Sequence, residues 1–290
     1  MIIGSIVAIA TPMHEDGAID YKRFKSLVEW HQREGTSAIV VAGSTGESAT
    51  LEVDEHQKLF ACAVEYSDGK IPVIAGIGAN STKEAIHLAQ AAKDAGAVAG
   101  LSVVPYYNKP MQEGMFRHFS TVAAHCDLPQ ILYNIPGRTV VDMHNDTILR
   151  LAELPTIVGL KDATSNLGRA FELFSSAPAD FAFYAGDDDT ALAYMLTGGH
   201  GVISVTANLA PKLVQEMCTY AIAGDGVKAR EIYRKLMPLT KAMSLETNPI
   251  PVKYAMQQLK LIEGGLRLPL TALNKNFRST VDAVVRPFEI

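Results

Sequence analysis

Residues 38–66 read AIVVAGSTGESATLEVDEHQKLFACAVEY. The opening Ala38–Gly43 is a short apolar run rich in Val, of the kind that forms a strand buried on both faces. The overlapping Gly43–Ser48 is small and polar, with two glycines, and suits a tight turn. From Val53 to Tyr66 apolar positions return at helical spacing. Strand, turn and helix thus follow one another, and the same order recurs along the chain.

Seven further apolar runs repeat the pattern: Ser5–Thr11, Val73–Gly78, Leu101–Tyr106, Gln130–Ile135, Ile157–Asp162, Phe181–Ala185 and Gly201–Val205. Helical patterns lie between or after them at Tyr21–Glu34, Thr82–Ala95, Gln112–His125, Asn145–Glu153, Leu167–Ser176, Asp187–Leu196 and Pro211–Ala223. Gly35, Gly96 and Pro155 stand near helix ends, as stop signals do. Eight such units with no break in composition predict an α/β fold, a (β/α)8 TIM barrel. The 290 residues hold the roughly 250 that such a barrel needs. A doubly wound open sheet is the rival topology. It is disfavoured because no dinucleotide fingerprint follows the first strand, and GIGANS at Gly76–Ser81 lacks the third glycine. From Gly226 onward strand signals stop, and Val227–Met243, Pro251–Leu261 and Leu270–Val284 read as helices. The expected organisation is a barrel over 1–225 with a C-terminal helical extension over 226–290 packed on it.

Composition narrows the function classes. The net charge is −5 and no basic run stands out, which argues against a nucleic-acid reader. No apolar stretch approaches the ~20 residues of a membrane span. The N-terminal MIIGSIVAIATP lacks a basic start and soon meets Pro12, so it reads as a strand rather than a signal peptide. Three unpaired-looking cysteines, Cys62, Cys126 and Cys218, suit a reducing compartment, and a cytoplasmic protein is expected. The histidines show no zinc spacing, and His118, His125 and Cys126 lie at intervals with no metal precedent. No cofactor and no metal are expected.

Chemistry in such barrels lies at the C-terminal strand ends. The sixth run, IVGLKDA, carries the sharpest signal. Strict alternation puts Ile157, Gly159 and Lys161 on one face and Val158, Leu160 and Asp162 on the other. A lysine in so apolar a strand is desolvated, which lowers its pKa from ~10.4 and leaves a neutral amine able to attack a ketone. Gly159 beside it leaves room for a small substrate. The plain alternative is a lysine that snorkels outward and pairs with Asp162. In the fifth run Ile131, Tyr133 and Ile135 share a face, so the Tyr133 phenol suits proton transfer. Arg138 in the following loop has the fork that grips a carboxylate, or is a solvated loop charge. Ser44 and Thr45 offer hydroxyls beside the amides of the Gly43–Ser48 turn, an anion site or simply a turn and cap. Tyr106 and Tyr107 point in different directions, one toward a site and the other toward a partner, or both pack as rim aromatics. Gly186–Thr190 reads GDDDT, whose carboxylates Asp187–Asp189 suit either a divalent cation or a helix cap.

Together, GSIVAIATP, GSTGES, PVIAGIGAN, VVPYYNKP, YNIPGRT, GLKDAT, GGHGVISV and the RLPL near Arg267 resemble the pyruvate-dependent class I aldolases, most nearly the dihydrodipicolinate synthase family. The resemblance spans nearly the whole chain. It implies a homotetramer that condenses pyruvate with L-aspartate 4-semialdehyde, in the diaminopimelate route to lysine. By motif, Lys161 would form the Schiff base, and Tyr133 would donate and accept protons. Ser44 would relay protons between Tyr133 and a neighbouring subunit's Tyr107. Thr45 and Ile203 would hold pyruvate, with Gly186 among the substrate-binding positions, and Arg138 would take the semialdehyde carboxylate. The family usually has threonine where this chain has Ser44. Serine keeps the hydroxyl and loses the β-branch. The resemblance also implies feedback inhibition by lysine, at positions matching Ser48, Ala49, His56, Asn80, Glu84 and Tyr106. Val53 departs from the pattern there, since some inhibited relatives carry His. Within the same fold, N-acetylneuraminate lyase or a keto-deoxy-sugar aldolase is the alternative. Tyr106–Tyr107 and Arg138 after Tyr133 favour the synthase.

Overall fold

The computed structural model describes residues 1–288. Eight parallel strands close on themselves in chain order: β1 (Gly4–Ala8), β2 (Ala38–Val41), β3 (Val73–Gly76), β4 (Ala99–Val103), β5 (Gln130–Asn134), β6 (Ile157–Asp162), β7 (Ala182–Ala185) and β8 (Gly201–Ser204). β8 pairs with β1, so no sheet edge is left open. The expected TIM barrel is therefore what the chain forms.

The helices in chain order are α1 (Tyr21–Arg33), α2 (Val53–Ser67), α3 (Thr82–Asp94), α4 (Gln112–His125), the single-turn α5 (Pro136–Thr139), α6 (Asn145–Ala152), α7 (Leu167–Ser176), α8 (Ala191–Leu196) and α9 (Pro211–Ile222). Three more follow: α10 (Gly226–Ala242), α11 (Ile250–Gln258) and α12 (Lys275–Val285). Side-chain caps fix several starts. Asp20 accepts the Arg23 amide at 2.9 Å and Asn166 accepts that of Arg169 at 3.0 Å. No helix among the described residues is long and apolar enough to cross a membrane.

Strand alternation sorts the core into two layers. Ile6, Ala8, Ala38, Val40, Leu101, Ile131, Tyr133, Tyr184 and Ile203 fill the barrel interior. Val7, Ile39, Val41, Ala75, Leu132, Leu160 and Val202 face the helices and form the larger cluster. Both faces of each strand are buried, which is why the runs read as continuously apolar.

Apart from shifted element ends, such as the last helix starting at Lys275 and not Leu270, two expectations need correction. The β5–β6 register jumps between Gln130 and Ile131, pairing Gln130 with Ile157 but Ile131 with Gly159. This irregularity breaks the alternation. Ile157 turns to the helix-facing core and Val158 to the interior, while Gly159 and Lys161 keep their predicted side. The second correction concerns Asp187–Leu196. The helix begins only at Ala191, because Asp188 is engaged elsewhere: it accepts Ser204 Oγ at 2.5 Å and the Val205 and Thr206 amides at 2.9 and 3.0 Å. It caps the end of β8, not the start of α8.

Candidate active site

A cavity of about 220 Å³ opens at the C-terminal ends of the strands. Lys161 and Tyr133 form its wall from paired positions on β6 and β5. Lys161 is 5% exposed, and its Nζ lies over the Tyr133 ring, 4.2 Å from the centroid. Among the described residues it has no ion-pair partner. Asp162 points to the other side of the strand and accepts the Thr164 amide at 3.0 Å, so the outward-snorkelling alternative is not what forms. Burial pushes the Lys161 amine down to about 8, helped by Arg138 and opposed by Asp187 and Asp188. Burial pushes the Tyr133 phenol up to about 12, while Arg138 and the nearby Ser44 hydroxyl pull against the rise.

Gly159 has a different reason from the one expected. It does not line the cavity; a Cβ there would stand 2.7 Å from the Ala182 carbonyl on β7. Gly76 is tighter still, with a Cβ 2.1 Å from the Ala42 carbonyl. The backbones of β2 and β3 approach too closely beside the Ser44 turn for any other residue.

The turn after β2 brings Ser44 and Thr45 to the cavity. It closes through the Glu47 amide to the Ser44 carbonyl at 3.2 Å and the Ser48 amide to the Gly43 carbonyl at 3.2 Å. Thr11 Oγ donates to the Gly46 carbonyl at 2.7 Å. Arg138, on α5, reaches the cavity rim and donates to the Asn248 carbonyl at 2.9 Å. Gly186 and Asp187 also line the wall, with Asp187 accepting Ser165 Oγ at 2.7 Å.

Neither Ile203 nor Tyr107 is among the residues that line the cavity, and Tyr107 is the one expected to serve a neighbouring subunit's site. Ile203 is fully buried in the inner core, paired with Ile6 of β1, and Val205 just after β8 lines the cavity. Tyr107 is 91% exposed, with φ +75°, and does not reach the cavity of its own chain. Sequence reasoning missed Asn248, whose Nδ2 donates to Thr45 Oγ at 3.0 Å, and Thr240, Met243 and Ser244 on the same wall. The TNP at Thr247–Pro249, polar and helix-breaking between two helical patterns, was the available signal.

A second cavity of about 420 Å³ adjoins the first, sharing Ser44, Ser48, Arg138 and Asn248. Ser48, Ala49, His56, Glu84 and Tyr106 line it; Asn80 does not, and its Nδ2 donates to the Tyr106 carbonyl at 3.2 Å. His56 Nε2 lies 2.9 Å from the Gly76 carbonyl, and burial lowers its pKa, so it is a neutral donor there. For metals, the one trio of ligand atoms gathered within 4.8 Å among the described residues is His14, Asp20 and Glu263, none of which lines either cavity. Asp187–Asp189 form no such set.

A closed barrel with a desolvated lysine facing a tyrosine on the adjacent strand belongs to the class I aldolase type. The comparisons with known proteins carry this further. The model of the dihydrodipicolinate synthetase family matches residues 1–287. A 4-hydroxy-tetrahydrodipicolinate synthase of Azoarcus sp. (strain BH72) is 59% identical over 286 residues, 99% of this chain and 98% of the relative. The chloride-inhibited dihydrodipicolinate synthase of Acinetobacter baumannii, complexed with pyruvate, superposes with a TM-score of 0.97 at 49% identity, over 99% of this chain and 98% of that one. A Cyanidioschyzon merolae homologue with lysine bound gives 0.94 at 38% identity, over 97% of each chain. The chain belongs to the dihydrodipicolinate synthetase family and is a Schiff-base-forming lyase.

Proposed function

We propose that this enzyme condenses pyruvate with L-aspartate 4-semialdehyde through a Schiff base on Lys161, giving 4-hydroxy-tetrahydrodipicolinate on the route to lysine. The observation that carries the reading is the Lys161 amine, buried, unpaired and lowered to about 8 in a cavity it shares with Tyr133. A neutral amine attacks the ketone carbon of pyruvate; the carbinolamine loses water and leaves an iminium. Tyr133 passes protons in these steps, with the Ser44 hydroxyl beside it in the cavity wall. The iminium draws electrons from the adjacent methyl group, which loses a proton to give an enamine. The enamine carbon attacks the aldehyde of the second substrate. The adduct's own amino group then displaces Lys161 and closes the ring. Thr45 and the turn amides suit the pyruvate carboxylate, and Arg138 at the rim suits that of the semialdehyde.

The exposed Tyr107 supports a homotetramer in which a second copy supplies this residue to the Ser44 relay. The adjoining cavity, with Glu84 and Tyr106 on its wall, supports lysine as a feedback inhibitor. A cytoplasmic location fits the three free cysteines. The decisive experiment is borohydride reduction in the presence of pyruvate, followed by peptide mapping. Label on Lys161, and product formation only with the semialdehyde acceptor, is the expected outcome. Label elsewhere, or turnover with sugar aldehydes instead, refutes the reading.

A further inference from the structure

Behind the Ser44 turn lies an ion pair sealed from solvent. Lys253 Nζ, on α11, sits 2.5 Å from Glu47 Oε1, and both side chains are 0% exposed. The second carboxylate oxygen accepts the Arg267 amide at 3.1 Å. Arg267 in turn pairs with Glu55 of α2 through two contacts of 2.6 Å and donates to the Thr50 carbonyl at 2.8 Å. Glu47 holds a left-handed backbone, φ +59°, which costs an L-residue about 1 kcal/mol or more and persists only where the surroundings impose it. Its amide closes the turn onto the Ser44 carbonyl. The residue that bends the turn is thus the residue locked to α11.

A buried ion pair is an inefficient source of stability, since desolvating two charges offsets most of their attraction and apolar replacements often do as well. Its use here is better sought in geometry. α11 begins directly after Asn248–Pro249, and Asn248 binds Thr45 Oγ and accepts from Arg138. One C-terminal segment therefore touches the turn at two points, Thr45 through Asn248 and Glu47 through Lys253.

We propose that Glu47 and Lys253 are positioning residues: their pair clamps the turn after β2 so that Ser44 and Thr45 face Lys161 in pyruvate-binding geometry, which makes α11 part of the active site. The inference deepens the reading above and rests on it for the identity of the ligand. The clamp acts on binding and alignment; it touches no reacting atom.

The test uses the full-length variants Glu47→Gln, Lys253→Met and the double variant E47Q/K253M. Pyruvate affinity is measured by calorimetry, Lys161 labelling by borohydride at saturating pyruvate, and melting temperature in parallel. The single variants leave one buried charge unpaired and are expected to melt early. The double variant removes both charges, recovers most of the melting temperature and keeps labelling at saturating pyruvate, yet binds pyruvate at least ten-fold more weakly. If the single variants do not fold, the double variant alone decides. Parent-like pyruvate affinity in the folded double variant overturns the clamp. Absence of Lys161 labelling in the parent protein refutes the Schiff-base reading instead, and the calorimetric comparison still judges the clamp.

Discussion

Lys161 Nζ stands 4.2 Å over the centre of the Tyr133 ring, its register partner on the neighbouring strand. A ring face favours a cation, whereas burial favours the neutral amine. The net result is an amine lowered from 10.5 to about 8, so burial wins. The reactive form is the neutral one. Labelling by pyruvate and borohydride is expected to rise about ten-fold per pH unit below pH 8 and to level off above it. A flat profile between pH 6 and 9 would contradict this.

The same shift has a stability consequence. Because the folded pKa lies below the unfolded one, holding a charged Lys161 penalises the fold below pH 8, and the penalty fades between about 8 and 10.5. Lys161→Met is therefore expected to abolish labelling while raising unfolding free energy at pH 7, by up to roughly 3 kcal/mol. Urea titration of the two proteins at pH 7 checks the sign. A less stable methionine variant would count against a costly interior amine.

The Ser44 hydroxyl lines the same cavity as the Tyr133 phenol and pulls against the rise of its pKa. Ser44→Ala is expected to lower kcat on the order of 100-fold, the lower range for losing a proton-transfer group. Ser44→Thr restores the hydroxyl with stiffer χ1 and should stay within a few-fold of the parent. Steady-state kinetics on both variants decides; an active alanine variant would remove Ser44 from the relay.

Asp188 gathers three donors at the end of β8, from Ser204, Val205 and Thr206. Asp188→Ala leaves two backbone amides and a hydroxyl to find other partners, and should cost about 2–3 kcal/mol in urea denaturation. Its oxygens are engaged in this cap, so a chelator such as EDTA is expected to leave turnover unchanged. Loss of activity on chelation, with recovery on adding a divalent cation, would revive a metal role for Asp187–Asp189.

His31 is completely buried, with Nδ1 2.9 Å from Thr36 Oγ, and burial pushes its pKa down to about 3. The unfolded chain binds a proton near 6.5 that the folded chain refuses until about 3. Stability is therefore present at neutral pH and is lost as pH falls through this window, by roughly 3 kcal/mol at pH 4 from this group. His118, lowered to about 4, adds to the loss in the same direction. His31→Leu should flatten the stability slope between pH 6 and 4, read by urea titration at each pH.

The barrel was legible because its physics is local: doubly buried strands read as apolar runs, and amphipathic helices separate them. Lys161 and Tyr133 were legible for the same reason, since alternation predicts their faces. Ile157 was misplaced because a register irregularity depends on the partner strand and leaves no mark in single-strand periodicity. Asn248 and Lys253 escaped because they act on the site from α11 and its approach, more than 200 residues from Thr45 and Glu47. Contacts of that range are set by tertiary docking. Their residue types, an amide before a proline and a lysine within a helix, are unremarkable on their own.

The irregular pairing at the foot of β6 separates the two ends of that strand. Below it the backbone follows one parity, above it another. Val158 is the extra residue at this joint, so the foot of the strand and its upper half pair with β5 in separate registers. The direction in which the amine points is thereby fixed by the pairing above the joint, from Ile131–Gly159 to Asn134–Asp162, and not by the strand's first residue.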